Sequence, residues 1–206
     1  MIFEFLFNHW GHALLSIAAA VLLYQSAVVV GGNEIALIER RWFGHKMPQG
    51  RVVALGNEVG IQARTLGPGL HFLIPFIYKA AKSVFTEILE NEIGLIESVD
   101  GSSIPAGNIF AAVVAGHNSF QDGEAFIRNG GQKGPQIEVL PPGKYRINPY
   151  LFKLTKGKVT EIKDFEIGIV ESVDGAPIPE GKIFAQAVDG HSSYQNGDAF
   201  IKNGGQ

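Results

Sequence analysis

The chain contains no cysteine in its 206 residues. Thiol nucleophiles, thiolate metal sites and disulfide staples are therefore excluded. No lysine or arginine occurs before Arg40, so the N-terminus lacks the basic flank of a cleaved secretory signal. No Gly-x-Ser-x-Gly occurs, and Ser16, His45 and His71 do not have the order or spacing of a hydrolytic triad. Basic runs and basic–aromatic interleaving are also missing, and the net charge is −3, which argues against nucleic acid as a partner. With 26 glycines and 10 prolines, turns are frequent and long helices are not expected beyond the first segment.

What the sequence does contain is a duplication. Glu92–Gln132 returns at Glu166–Gln206, 74 residues later and without a gap. About two-thirds of the aligned positions are identical, which marks one supersecondary unit used twice. The replacements Leu95→Ile169, Ile96→Val170, Phe120→Tyr194, Glu124→Asp198 and Arg128→Lys202 keep size class or charge, as a shared packed interior requires. A shorter third member starts at Glu34. There EIALIE matches EIGLIE at Glu92, and Leu66–His71 then matches Leu140–Tyr145. The shorter member lacks a stretch equivalent to Gly116–Gly131, which reads as an insertion.

Before these units lies ALLSIAAAVLLYQSAVVV, from Ala13 to Val30, with no charge. Counted from Trp10, the run is about 31 Å long as a helix, which matches a bilayer core. The expectation is a transmembrane anchor built on Trp10, Leu14, Leu15, Ile17, Val21, Leu22, Leu23, Val28, Val29 and Val30. The basic residues Arg40, Arg41, Lys46 and Arg51 follow it and would keep the repeats in the cytoplasm. The expected topology is then a single crossing of the membrane.

Each repeat reads as about four short strands with turn signals at Asp100-Gly101, Ile104–Gly107 and Pro141–Gly143. Strands are expected at Glu92–Val99, Asn108–Val114, Gln136–Leu140 and Lys144–Leu154, the last broken at Pro149. A short helix falls inside the insertion. Asp122 can cap it, Glu124 and Arg128 suit its two ends, and Asn129-Gly130 can close it. The organisation expected is an anchor over 1–32, a first repeat over 33–91, a second over 92–165 and an incomplete third over 166–206. The fold class is mainly β, with three small barrels or sandwiches stacked in a row behind the anchor and a short helix in the second and third. A single unit is too small to bury much core, so neighbours must share it. The third unit lacks counterparts of the closing strands that follow Gln132, which predicts a longer native polypeptide.

Unit one ends in Gly67-Pro68-Gly69-Leu70-His71-Phe72-Leu73-Ile74-Pro75-Phe76. Together with the upstream apolar segment and Glu34-Ile35-Ala36-Leu37-Ile38-Glu39-Arg40, this resembles the SPFH or band 7 superfamily of stomatins, prohibitins and flotillins. Flotillin-like bacterial members with extra β-repeats are the nearest in character. The resemblance covers Gly31–Lys79 well and the later repeats more loosely. The long Ala/Glu-rich coiled coil of that superfamily is not found. The resemblance implies a non-enzymatic scaffold, anchored in a bacterial inner membrane, that assembles into a large homo-oligomeric ring or cage. Such an assembly organises a membrane microdomain or encloses membrane proteins, with lipid, copies of itself and membrane protease clients as partners. The alternative is a tethered β-repeat module that binds a protein or a cell-envelope polymer.

Two groups of surface contacts are expected. Phe72, Leu73, Ile74, Phe76 and Ile77 form an unusually apolar run suited to a membrane surface. Phe120, Phe126, Ile127, Tyr194, Phe200 and Ile201 belong to the insertion and its copy, the stretch expected to meet neighbours in an oligomer. No cofactor, metal or catalytic group is expected. His117 and His191 repeat, but Asp122 becomes Asn196, so caps explain these residues better than a metal does. Asp189–Asp198 lacks EF-hand spacing, and the Asn-Gly-Gly at 129 and 203 ends a helix where a phosphate cradle would open one.

Overall fold

The computed structural model describes the backbone of residues 2–206 and the side chains of residues 10–206. The first element is helix α1 (Ile2–Ser26), followed at once by strand β1 (Ala27–Val30). Unit one continues with β2 (Glu34–Arg40), β3 (Gly60–Leu66), β4 (Gly69–Phe72) and β5 (Tyr78–Val84). Unit two comprises β6 (Thr86–Ile88), β7 (Glu92–Ser98), β8 (Ser102–Ser103), helix α2 (Gly123–Arg128), β9 (Gln132–Pro135), β10 (Gly143–Tyr145) and β11 (Phe152–Lys158). Unit three holds one regular element, helix α3 (Gly197–Lys202).

The expected membrane span is corrected. Among the described residues, no helix is long and apolar enough to cross a membrane. The run was counted through Val30, but the helix stops at Ser26. Val28, Val29 and Val30 instead lie in β1, which pairs antiparallel with β4. Three β-branched valines in sequence favour that outcome. Of the run counted from Trp10, only Trp10–Ser26 lies in the helix, about 26 Å at ~1.5 Å per residue and short of a ~30 Å core. Its apolar character is also interrupted by His12, Ser16, Gln25 and Ser26. The single-pass inner-membrane location and its orientation lose their basis with the span.

The expected barrels and sandwiches are also corrected: the sheets are small and open. They are β1–β4, β6–β10, β3–β2–β5 and β11–β7–β9–β8. Strands of two to seven residues in groups of at most four cannot close on themselves. The duplicated pattern nevertheless governs the topology. In each of the first two units a short leading strand (β1, β6) pairs with the strand after the Gly-Pro-Gly or Pro-Pro-Gly turn (β4, β10). The Glu-Ile strand (β2, β7) is central, with the closing strand (β5, β11) on one side and β3 or β9 on the other. The turn itself is tied the same way twice. His71 Nε2–H donates to Gly67 O at 2.8 Å, and the Tyr145 hydroxyl donates to Pro141 O at 2.8 Å.

The expected strand over Asn108–Val114 is not formed; Ala111 makes only an isolated bridge to Gln136. Helix α2 has the expected caps. Asp122 accepts from the Ala125 amide at 2.9 Å, and Arg128 pairs with Glu124 at 2.8 Å. The main core lies between units one and two. Val53 and Ala63 of unit one pack with Ile96, Phe120, Phe126, Leu140, Leu151 and Phe152 of unit two. Phe152 is its centre, with ring centroids 5.3 Å from Phe120 and 5.0 Å from Phe126. Offset tilted contacts of this kind add to area burial.

Candidate functional site: the joint between repeats

The most developed polar site is where one repeat meets the next, and it is built twice. At the first joint the Asp100 carboxylate of unit two accepts from the Val52 and Val53 amides of unit one, at 2.7 and 2.9 Å. Arg51 Nε lies 3.0 Å from the same carboxylate. At the second joint Asp174 of unit three accepts from the Ile109 and Phe110 amides of unit two, both at 2.9 Å. Asp174 is the exact repeat equivalent of Asp100. Each aspartate is held in place by its own turn. Ser98 and Ser172 donate their hydroxyls to the carbonyls of Asp100 and Asp174, at 2.6 and 2.5 Å. The amides of Gly101 and Gly175 donate to the carboxylates at 2.7 and 2.9 Å.

The local sequence explains the turn. Gly101 and Gly175 have φ of +135° and +133°, which side chains rarely adopt. A Cβ at either would run into the carbonyl of Gly131 or Gly205. The Asp-Gly turn and the Asn-Gly-Gly at the helix end are thus two halves of one close contact, which accounts for both being unchanged between repeats.

Electrostatics separates the two joints. Burial pushes the Asp100 carboxyl up, but hydrogen bonds from Val53 and Val52 and the charge of Arg51 outweigh it and hold it below the usual carboxylate range. At Asp174 burial also pushes up, and the amides of Phe110, Ile109 and Gly175 bring it below. Asn108 stands where the second joint would need the arginine, and among the described residues no ion pair to Asp174 is formed.

The insertion helices belong to the joint. Gly123, at the start of α2, approaches so closely that a Cβ would lie 2.7 Å from Ala63 O of unit one. Gly197, at the start of α3, faces Ile137 of unit two, the equivalent of Ala63, but less tightly: a Cβ would meet the Ile137 side chain at 2.9 Å and its carbonyl oxygen only at 3.9 Å. Arg128 also reaches back to donate to Leu55 O at 2.9 Å. The neighbour met by the insertion is therefore the preceding repeat of the same chain. Phe120, Phe126 and Ile127 are buried in the core that units one and two share, so they face inward. Their counterparts Tyr194, Phe200 and Ile201 line an open cleft between units two and three. The cleft holds about 310 Å³, and Phe110, Ile137 and Val170 complete its apolar wall.

His117 and His191 have a structural task. Residues 118–120 and 192–194 are three consecutive left-handed positions, an arrangement that is costly without support. His117 Nδ1 accepts from the Phe120 amide and His191 Nδ1 from the Tyr194 amide, each at 2.8 Å. That leaves the proton on Nε2, which in His117 points at Glu138, 3.4 Å away. Among the described residues no three histidines or carboxylates gather as metal ligands.

In the apolar run, Phe72, Ile74 and Phe76 are exposed, while Leu73 and Ile77 are half-buried. Val29 and Leu70, paired across β1 and β4, extend the exposed stripe. The helical residues named for the anchor, Trp10 through Leu23, are exposed, whereas Val30 is buried.

Sequence reading took Asp100 as a turn residue and missed its role as a staple. The available signal was the unchanged Ser-Val-Asp-Gly in a repeat whose neighbouring positions drift. No family model, curated protein or solved structure matches this chain.

Proposed function

We propose that the chain is a structural scaffold and not an enzyme: a row of β-repeats, each stapled to the one before it, that associates with further copies of itself. The observation that carries this reading is the joint made twice with equivalent atoms, Asp100 on Val52–Val53 and Asp174 on Ile109–Phe110. A joint that recurs is a way of adding units in series, as in other linear repeat proteins. The SPFH-like motif at Gly67–Phe76 supports the same class of role. The surface for copies is the exposed stripe Val29, Leu70, Phe72, Ile74 and Phe76 on unit one, since contiguous exposed apolar residues on a small domain mark interaction sites.

Sedimentation velocity of the full chain tests this. The expected result is a species several times the 22.2 kDa protomer, shifted towards the protomer by Phe72→Asp with Ile74→Asp. A protomer-only profile at roughly 100 μM, a concentration that would populate even a weak self-contact, rejects self-association. The open cleft between units two and three favours a second reading, a β-repeat module that binds an extended protein segment.

A further inference from the structure

Unit three repeats unit two, but its interior is not filled. In unit two, Phe120 and Phe126 pack on Phe152 at the start of β11, in one buried cluster with Ile96, Ile127 and Leu151. In unit three the equivalents Tyr194, Phe200, Ile201 and Val170 line the cleft instead. Strand β7 pairs along its whole length with β11, from Glu92↔Lys158 to Ser98↔Phe152. Its equivalent, Glu166–Ser172, forms no strand, and Ile167 and Ile169 stand exposed.

We propose that this cleft and the adjoining Glu166–Ser172 edge are a docking site for an extended segment of a further repeat unit. The segment has the chemistry of Ile147–Lys158: an asparagine, then a leucine–phenylalanine pair, then lysines three residues apart. Unit two supplies the evidence for each feature. Asn148 Nδ2 donates to Gln62 O and Ala63 O of unit one, both at 3.0 Å. The counterparts of those residues, Gln136 and Ile137, line the cleft. Leucine and phenylalanine match the apolar wall and the paired rings of Tyr194 and Phe200, whose centroids lie 5.8 Å apart, as do those of Phe120 and Phe126. Lys153 and Lys156 meet Glu97 and Glu92, at 3.7 and 3.6 Å. Glu171 and Glu166 hold the equivalent positions in unit three, and both are exposed. Charge, shape and strand polarity thus all specify one occupant, an antiparallel, lysine-bearing strand entering with its aromatic end at the cleft. Recognition of this kind is strand addition: main-chain pairing gives affinity and the alternate side-chain pockets give selectivity.

The inference rests on the repeat-docking reading above, and its test separates the two. The probe is a fluorescein-labelled synthetic peptide of residues 147–159, titrated with the full chain and followed by anisotropy. Saturable one-to-one binding is expected. Phe152→Ala in the peptide should weaken it at least about tenfold, as loss of a central aromatic anchor does. Glu171→Lys in the protein should weaken binding of the native peptide and restore it for the peptide carrying Lys153→Glu. Absence of saturation at roughly 1 mM protein, the weak limit of specific recognition, overturns the proposal. So does equal binding of the Phe152→Ala or a scrambled peptide. The peptide variants keep the test valid even if a protein variant misfolds. A dimer that the peptide dissociates sustains the site and identifies the segment's source as a second copy. Self-association that persists without peptide binding overturns the cleft alone, and peptide binding by a strictly monomeric chain overturns self-assembly alone.

Discussion

Units two and three have nearly the same sequence and very different interiors. Ile96 is 3% exposed and its equivalent Val170 is 58%; Phe120 is 2% exposed and Tyr194 is 52%. Local structure is conserved all the same. Both units have the six-residue helix with its Asx cap, the histidine-capped left-handed turn and the Asp-Gly contact with Gly-Gly. What differs is everything that needs a distant partner. Glu92–Ser98 is a strand because Phe152–Lys158 and Gln132–Pro135 lie beside it. Glu166–Ser172, with the same Glu-Ile-Gly opening, has no such neighbours and is not one. Helix caps and tight turns are set by a few adjacent residues, whereas strand formation depends on pairing and burial.

The largest effect that can break this comparison is at Phe152. Phe152→Ala removes the ring that unites Phe120 and Phe126, and should cost about 3–5 kcal/mol in chemical denaturation of the full chain. Phe200→Ala, in the open unit, should cost a fraction of that, because Phe200 is only half-buried. Equal losses would mean that unit three is closed and that the contrast is false.

The same distinction separates what the sequence revealed from what it concealed. The Asp122 cap and the short helix that it opens were legible, because each depends on residues within a few positions. The run Ala27–Val30 was misread because its hydrophobicity fits a helix in lipid as well as a strand, and only pairing with Gly69–Phe72 decides between them. The strand expected over Asn108–Val114 failed for the converse reason. Its amides are engaged elsewhere: those of Ile109 and Phe110 by Asp174, and that of Ala112 by Gln132. The inter-unit staple was hidden because Asp-Gly is a common turn, and nothing local reveals that its carboxylate reaches 48 residues back to Val52.

An intermediate effect compares the two staples. Asp100 is buried and faces Arg51, whereas Asp174 is half-buried and forms no ion pair among the described residues. Asp100→Ala leaves three amides, those of Val52, Val53 and Gly101, and a guanidinium without their acceptor and should cost about 3 kcal/mol. Asp174→Ala should cost about 1 kcal/mol, the net value of ordinary hydrogen bonds. The pH dependence follows from the direction of the shift. Because the folded Asp100 carboxyl lies below its ordinary value, its contribution is complete above the unfolded value of about 3.9 and is lost as pH falls through the folded one. Stability measured from pH 6 downwards should therefore fall below about pH 4 in the parent and more shallowly in Asp100→Asn. An identical acid slope in both would remove Asp100 from the account.

The smallest effect is the most discriminating, because it concerns charge alone. Lys153 and Glu97 form a surface pair, with side chains 70% and 53% exposed. Within the closed unit two, Lys153→Glu should change stability by no more than about 0.5–1 kcal/mol, since strand β11 is held by its ladder to β7 and by Phe152. Its charge matters little once the strand is docked. During encounter between separate chains the same charges act before any contact forms, so they set association rate and orientation more than final affinity. Lys153→Glu should therefore leave the unfolding midpoint of the full chain nearly unchanged, while the same change in the 147–159 peptide slows its association with the Glu166–Ser172 edge, increasingly so at low salt. A midpoint shift well above 1 kcal/mol would mean that the pair is part of the closed unit's structure. The lysines would then be no guide to what the open unit accepts.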